Sequence, residues 1–126
     1  PVHIVVKLDE YLMQVKRHGA ILAEFPVGIG MDGRTPRGNF TIANKLEQPT
    51  WYNKGQGVPP SDPRSPLGAY WMGLGTEGRA TSYGIHPTNA PESIGRSQSR
   101  GCIRMRPEDA ALVFQWCEVG TPVTIL

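Results

Sequence analysis

The stretch "SQSRGCIRM", Ser97 to Met105, sets a cysteine directly after a glycine and among arginines. The chain has only two cysteines, so this placement needs a reason. A glycine turn beside guanidinium groups is a poor place to bury a small apolar side chain. It is a good place to stabilise a thiolate, because a neighbouring cation lowers a thiol pKa from about 8.5. Arg96, Arg100, Arg104 and Arg106 all surround Cys102 in this segment. Backbone N–H groups of the "RGC" turn can converge on one point and stabilise a tetrahedral oxyanion. A nucleophilic cysteine also needs a base. His86, at the end of "YGIH", has the near-neutral pKa that suits this task.

Other candidates read differently. Cys117 falls on a helical apolar stripe and is expected in the core. Both cysteines are expected reduced, since a bridge would consume the one candidate nucleophile. His3 and His18 read as strand-surface and turn residues, and no metal-ligand spacing accompanies any histidine. Ser97 and Ser99 do not sit in a G-x-S-x-G elbow, so they read as turn residues, with Ser99 fixing the turn. "GIGMDG", Gly28 to Gly33, matches G-x-G-x-x-G, but "RTPRGNFTI" leads into a strand rather than a helix. A pyrophosphate site needs the helix, so the dinucleotide reading fails and the glycines are expected to serve turns between strands.

The elements that must hold these residues are mostly strands. With 126 residues, 39% hydrophobic and 19% charged, the chain has globular composition and room for one core. A net charge of +2 is too weak to argue for nucleic acid. No apolar run approaches the ~18–20 residues that span a bilayer. The chain opens on "VHIVV" with no initiator Met, and a single domain over residues 1–126, excised or processed from a longer chain, is expected. Fifteen glycines and 12 prolines punctuate short segments. "VHIVVKL", "YLMQVKR", "AILAEFPVGIG", "NFTIANKL", "AYWMGLG", "SYGIHP" and "TPVTIL" read as strands, with a turn at His18–Gly19. One helix opens at Pro107, carries Glu108 and Asp109 at its positive end, and turns Ala110, Val113, Phe114 and Cys117 to one side. Gly120 ends it. Glu47 to Pro66, with five prolines, reads as a functional loop or lid.

"IHPTNAPESIGRSQSRGCIRM" resembles the signature of the L,D-transpeptidase catalytic domain, the YkuD-type fold. That signature is a His, a loop, then Ser/Thr-His-Gly-Cys, a hydrophobic residue and Asn or Arg. "VGIGMDGRTPRGNFTI" resembles the family's other recurrent stretch, a Gly-containing strand end followed by Thr-Pro-x-Gly and a strand. "GTPVTI" fits its closing strand. The resemblance implies a mainly β fold, a sandwich or closed barrel of mixed sheets, with one C-terminal helix and a long Pro-rich loop. It implies a cysteine acyltransferase of the bacterial cell envelope, in the periplasm or outside the cytoplasmic membrane, acting on peptidoglycan stem peptides.

Carried over by position, Cys102 would be the nucleophile, His86 its base and Pro87 the carbonyl that orients the base. Backbone amides of Gly101 and Cys102 would form the oxyanion hole. Ser99 would shape the turn and Arg104 would hold substrate or loop. Arg100 stands where the family has a second histidine, which leaves His86 the sole base nearby; Arg100 would favour thiolate or bind a substrate carboxylate. Tyr83 and Trp71 complete the expected substrate-binding set. No cofactor, no metal and no nucleic-acid partner is implied, and a monomer is the default. Cys102 would attack the bond between the third, diamino acid residue of a stem and D-Ala, then pass the acyl group to an amine. Water in place of the amine would make the protein an L,D-carboxypeptidase. A catalytically inactive wall-binding module is the alternative of another class.

Overall fold

The computed structural model describes residues 1–59 and 68–126. The strands follow in chain order: β1 (Val2–Lys7), β2 (Leu12–Arg17), β3 (Ala20–Gly30), β4 (Gly38–Glu47), β5 (Trp51–Asn53), β6 (Gln56–Val58), β7 (Tyr70–Thr76), β8 (Arg79–Pro87), β9 (Ser97–Ser99), β10 (Ile103–Met105) and β11 (Pro122–Ile125). One helix, α1 (Pro107–Trp116), precedes the last strand. Eight strands close on themselves: β1, β2, β3, β10, β8, β7, β4 and β11 neighbour one another in that order, and β11 returns to β1. The pairs β1–β11 and β8–β10 are parallel, and the other six contacts of the ring are antiparallel. The fold is thus a closed mixed barrel with one helix on it.

Apolar alternation accounts for the closure. Ile4, Val6, Met13, Val15, Val27, Ile42, Met72, Ile85, Ile103 and Met105 are fully buried and meet inside. Helix α1 lays Ala110 and Val113 on this core. Its end brings the Cys117 thiol 3.6 Å from the Met72 sulfur. Both cysteines are free thiols, and Cys117 is a core residue.

Four local readings change. The helix stops at Trp116, and Cys117 is already extended, at φ −91° and ψ 162°. The expected loop after Glu47 contains a hairpin, β5 and β6 joined by Lys54 and Gly55 with φ of 52° and 81°. The part from 60 to 66 lies outside the described residues. Strands β9 and β10, three residues each, are too short to show alternation in sequence. Lastly, Gly28 and Gly30 lie inside β3 and serve close approach rather than turns. A Cβ on Gly28 would lie 2.5 Å from the Ser93 carbonyl oxygen, and one on Gly30 would lie 2.8 Å from the Gly101 Cα. Only Gly33, at φ +71°, is a turn glycine here. A single 3-10 turn, Met31–Gly33, follows β3, so no helix opens at "GIGMDG".

Candidate active site

The parallel pairing of β8 with β10 brings the two chemical residues together. Its register sets Ile103 beside Ile85 and Arg104 beside His86. Ile85, Ile103 and Met105 point into the core. Side chains alternate along a strand, so His86 and Arg104 share the opposite face. One step back along the same register, Cys102 lies beside Gly84, whose backbone N–H favours the thiolate. Cys102 and His86 are therefore diagonal neighbours on adjacent strands. Residues far apart in sequence become neighbours because β8 and β10 run the same way.

His86 is only 5% exposed, and its Nδ1–H donates to the Pro87 carbonyl at 2.7 Å. A carbonyl can only accept, so Nδ1 carries a proton in this bond and the ring is oriented by it. Trp71 on β7 stands opposite His86, with ring centroids 6.0 Å apart and planes within 24°. The indole also spreads over Gly84, where any Cβ would run into its ring carbons. The absent side chain at Gly84 is what lets the indole lie flat beside the imidazole. Sequence reading passed over Gly84, because a glycine inside a strand pattern carries no mark of what approaches it.

The turn before Cys102 is held from two sides. Ser99, buried, donates its hydroxyl to the Cys102 carbonyl at 2.6 Å and accepts from the Gly101 N–H at 3.1 Å. Its expected turn-fixing geometry is present. Gly101 adopts φ +136°, and a Cβ there would collide with the Tyr83 ring. Thr35, buried at 4% exposure, accepts from the Gly30 N–H at 2.8 Å and donates to the Gly101 carbonyl at 2.9 Å. Thr35 was not singled out from sequence, although the Thr-Pro-x-Gly stretch that contains it was.

The arginines contribute less than their crowding suggests. Burial pushes the Cys102 thiol up, and the Gly84 N–H and the Arg104 charge only partly offset it. The crowding of arginines in the chain therefore does not by itself lower the Cys102 pKa, because burial is the larger effect. Arg106 turns away to Asp109, at 2.7 Å, and Glu108, at 3.7 Å, at the start of α1. Arg96 and Arg100 are exposed. Strand alternation puts Arg104 on the face of Cys102, whereas Arg106, of the same parity, lies past the end of β10 and is drawn to the start of α1. Cys102, His86, Pro87, Ser99, Gly101, Arg104, Tyr83 and Trp71 converge; Arg100 lies at the turn but faces solvent.

Comparison with known proteins places this arrangement. The family model of the L,D-transpeptidase catalytic domain (YkuD) matches residues 1–125. The chain is 43% identical over 97 residues to Bacillus subtilis YqjB, covering 75% of this chain and 53% of that protein. It is 32% identical over 126 residues to Bacillus subtilis YkuD, covering 99% of this chain and 66% of that one. The chain thus spans between half and two thirds of these relatives' length. Among solved structures, the catalytic domain of the Enterococcus faecium L,D-transpeptidase acylated by ertapenem superposes with a TM-score of 0.74 at 30% identity, over 99% of this chain and 96% of that one. A family match over nearly every residue, on a barrel shared with that catalytic domain, makes this chain a member of the L,D-transpeptidase catalytic domain family.

Proposed function

We propose that the domain is a cysteine acyltransferase of the bacterial envelope that remodels peptidoglycan stem peptides. The observation that carries this reading is the Nδ1–H bond from His86 to the Pro87 carbonyl, on a strand whose parallel partner leads in from Cys102. It orients the imidazole so that Nε2 is the ring nitrogen available to serve as the base. A thiol whose pKa is raised by burial needs such a base at the moment of attack.

In the first step Nε2 of His86 takes the thiol proton while the Cys102 sulfur attacks the carbonyl that joins the L-centre of the third, diamino acid residue to D-Ala. The oxyanion is held by the Cys102 amide. The Gly101 amide, which donates to Ser99 Oγ in the resting site, joins it when the Ser99 hydroxyl yields or shares that donor. The protonated His86 then gives its proton to the departing D-Ala amine, leaving a thioester on Cys102. In the second step His86 removes a proton from an incoming amine, which attacks the thioester and restores the thiol. Arg104 faces the same side as Cys102 and suits a substrate carboxylate, while Tyr83 and Trp71 supply apolar walls. Among the described residues no helix is long and apolar enough to cross a membrane.

The experiment is mass spectrometry of the protein incubated with a disaccharide-tetrapeptide and excess free D-amino acid, with Cys102→Ala alongside. Exchange of the terminal D-Ala, lost in the variant, is expected. Loss of D-Ala without exchange would demote the domain to a carboxypeptidase, and an untouched tetrapeptide would overturn the reading.

A further inference from the structure

The Thr-Pro-x-Gly stretch has no role in the mechanism above, yet one of its side chains touches the catalytic turn. We infer that Thr35 is a positioning residue that aims the Cys102 backbone amide at the oxyanion. The inference rests on the acyl-transfer reading and says how that reaction's electrostatic term is set.

The argument begins with one hydroxyl and two backbone groups. Gly30 N–H can only donate and Gly101 C=O can only accept, so the Thr35 hydroxyl must accept from the first and donate to the second. The relay runs one way: Gly30 N–H to Thr35 Oγ1, and Thr35 O–H to the Gly101 oxygen. It is buried at both ends, so water does not compete for it.

The Gly101 carbonyl and the Cys102 N–H belong to one peptide unit. That unit is planar and trans, so the two groups point in opposite directions. Pinning the Gly101 oxygen on Thr35 therefore points the Cys102 N–H directly away from Thr35. The next peptide unit is pinned too, because Ser99 Oγ donates to the Cys102 carbonyl at 2.6 Å. Both planes flanking the nucleophile are thus fixed by side-chain hydroxyls, one local and one from the segment that follows β3.

The turn needs this help. Gly101, at φ +136°, has no Cβ to restrict it and sits in a region that glycine visits among several. The close packing of Gly101 on Gly30 shows how little slack exists, since even a methyl group on Gly30 would overlap Gly101, the Thr35 amide and the Thr35 hydroxyl. A donor held in place before the reaction is worth more than one that must reorganise during it.

The test compares Thr35→Val, which keeps the shape and loses the hydroxyl, with Thr35→Ser, which keeps the hydroxyl. Steady-state D-Ala exchange is measured for each, together with the rate at which iodoacetamide alkylates Cys102. Alkylation reports the thiol and its base but forms no oxyanion. Removing an oxyanion donor outright costs about 10²–10³ in kcat, so misaiming one is expected to cost about 10–100-fold. Thr35→Val should show that loss in kcat, KM within about twofold of wild type and an unchanged alkylation rate; Thr35→Ser should recover most of kcat. If Thr35→Val does not fold, Thr35→Ala, which leaves room for water at both backbone groups, carries the same comparison. Equal losses in kcat and alkylation would overturn the inference, as would a failure of serine to rescue. Wild type that exchanges D-Ala beside an equally active Thr35→Val overturns this inference alone. Wild type that leaves the tetrapeptide untouched overturns the acyl-transfer reading on which it rests.

Discussion

Thr35 and Gly101 are 66 residues apart in the chain and joined by one hydrogen bond of 2.9 Å. That bond ties the segment after β3 to the turn that carries Cys102, so the two sequence motifs of this domain meet in one buried cluster. The hydroxyl that links them lies beneath the turn, on the β3 side. The working face, with Cys102, His86 and Arg104, is built by β8 and β10.

Loss of the proposed base should cripple the reaction without unfolding the chain. A positioned base is worth about 10²–10⁴-fold, so His86→Gln is expected to lower acyl transfer by that factor. Rates within threefold of wild type at neutral pH would remove His86 from the mechanism.

Burial raises the Cys102 pKa, and Arg104 pulls in the other direction. In His86→Gln, where no imidazole assists, alkylation by iodoacetamide should therefore still be climbing above the ordinary thiol range of about 8.5. Adding Arg104→Gln should move the midpoint higher still, since it removes a charge that favours thiolate. A midpoint below that range, or one that falls when Arg104 is removed, would contradict the burial argument.

Burial also raises the Cys117 thiol, and the consequence is for stability. The folded chain holds this proton more tightly than the unfolded chain does. Its contribution is complete below the ordinary thiol pKa and is lost as pH rises through and beyond it. Thermal unfolding midpoints measured from pH 7 to pH 10 should fall for wild type, and fall less for Cys117→Ala. Parallel curves for the two proteins would sink this assignment.

Gly84→Ala places a methyl group inside the Trp71 ring. The indole must leave its place beside His86, so both stability and turnover should drop, the former by about 1–3 kcal/mol as for other overpacked sites. Pairing Gly84→Ala with Trp71→Phe, which frees space, should recover part of the stability. Denaturant unfolding of the two singles and the double reads the coupling directly, and strict additivity would argue that the two residues do not share that space.

Much of the chain declares itself locally. The β-branched runs of β1, β3 and β11, the Pro107 start of α1 and its apolar stripe are short-range patterns, and the structure follows them. The types and spacing of Cys102 and His86, with Ser99 and Gly101 between them, marked a candidate site; the family resemblance also needed the Thr-Pro-x-Gly stretch and the closing "GTPVTI". What lay beyond the sequence was direction. Four arginines crowd Cys102 in the chain, but strand alternation turns Arg104 toward it, α1 draws Arg106 off to Asp109, and Arg96 and Arg100 reach solvent. Their net effect on the thiol depends on burial, which is a property of the closed barrel and not of neighbouring residues. Gly84, Gly30 and Thr35 were silent for the same reason. A glycine that admits an indole, or a hydroxyl that bridges two distant backbone groups, takes its meaning from what the barrel brings to within a few ångströms of it. Residue type determined which chemistry is available; parallel pairing and closure decided which groups stand together.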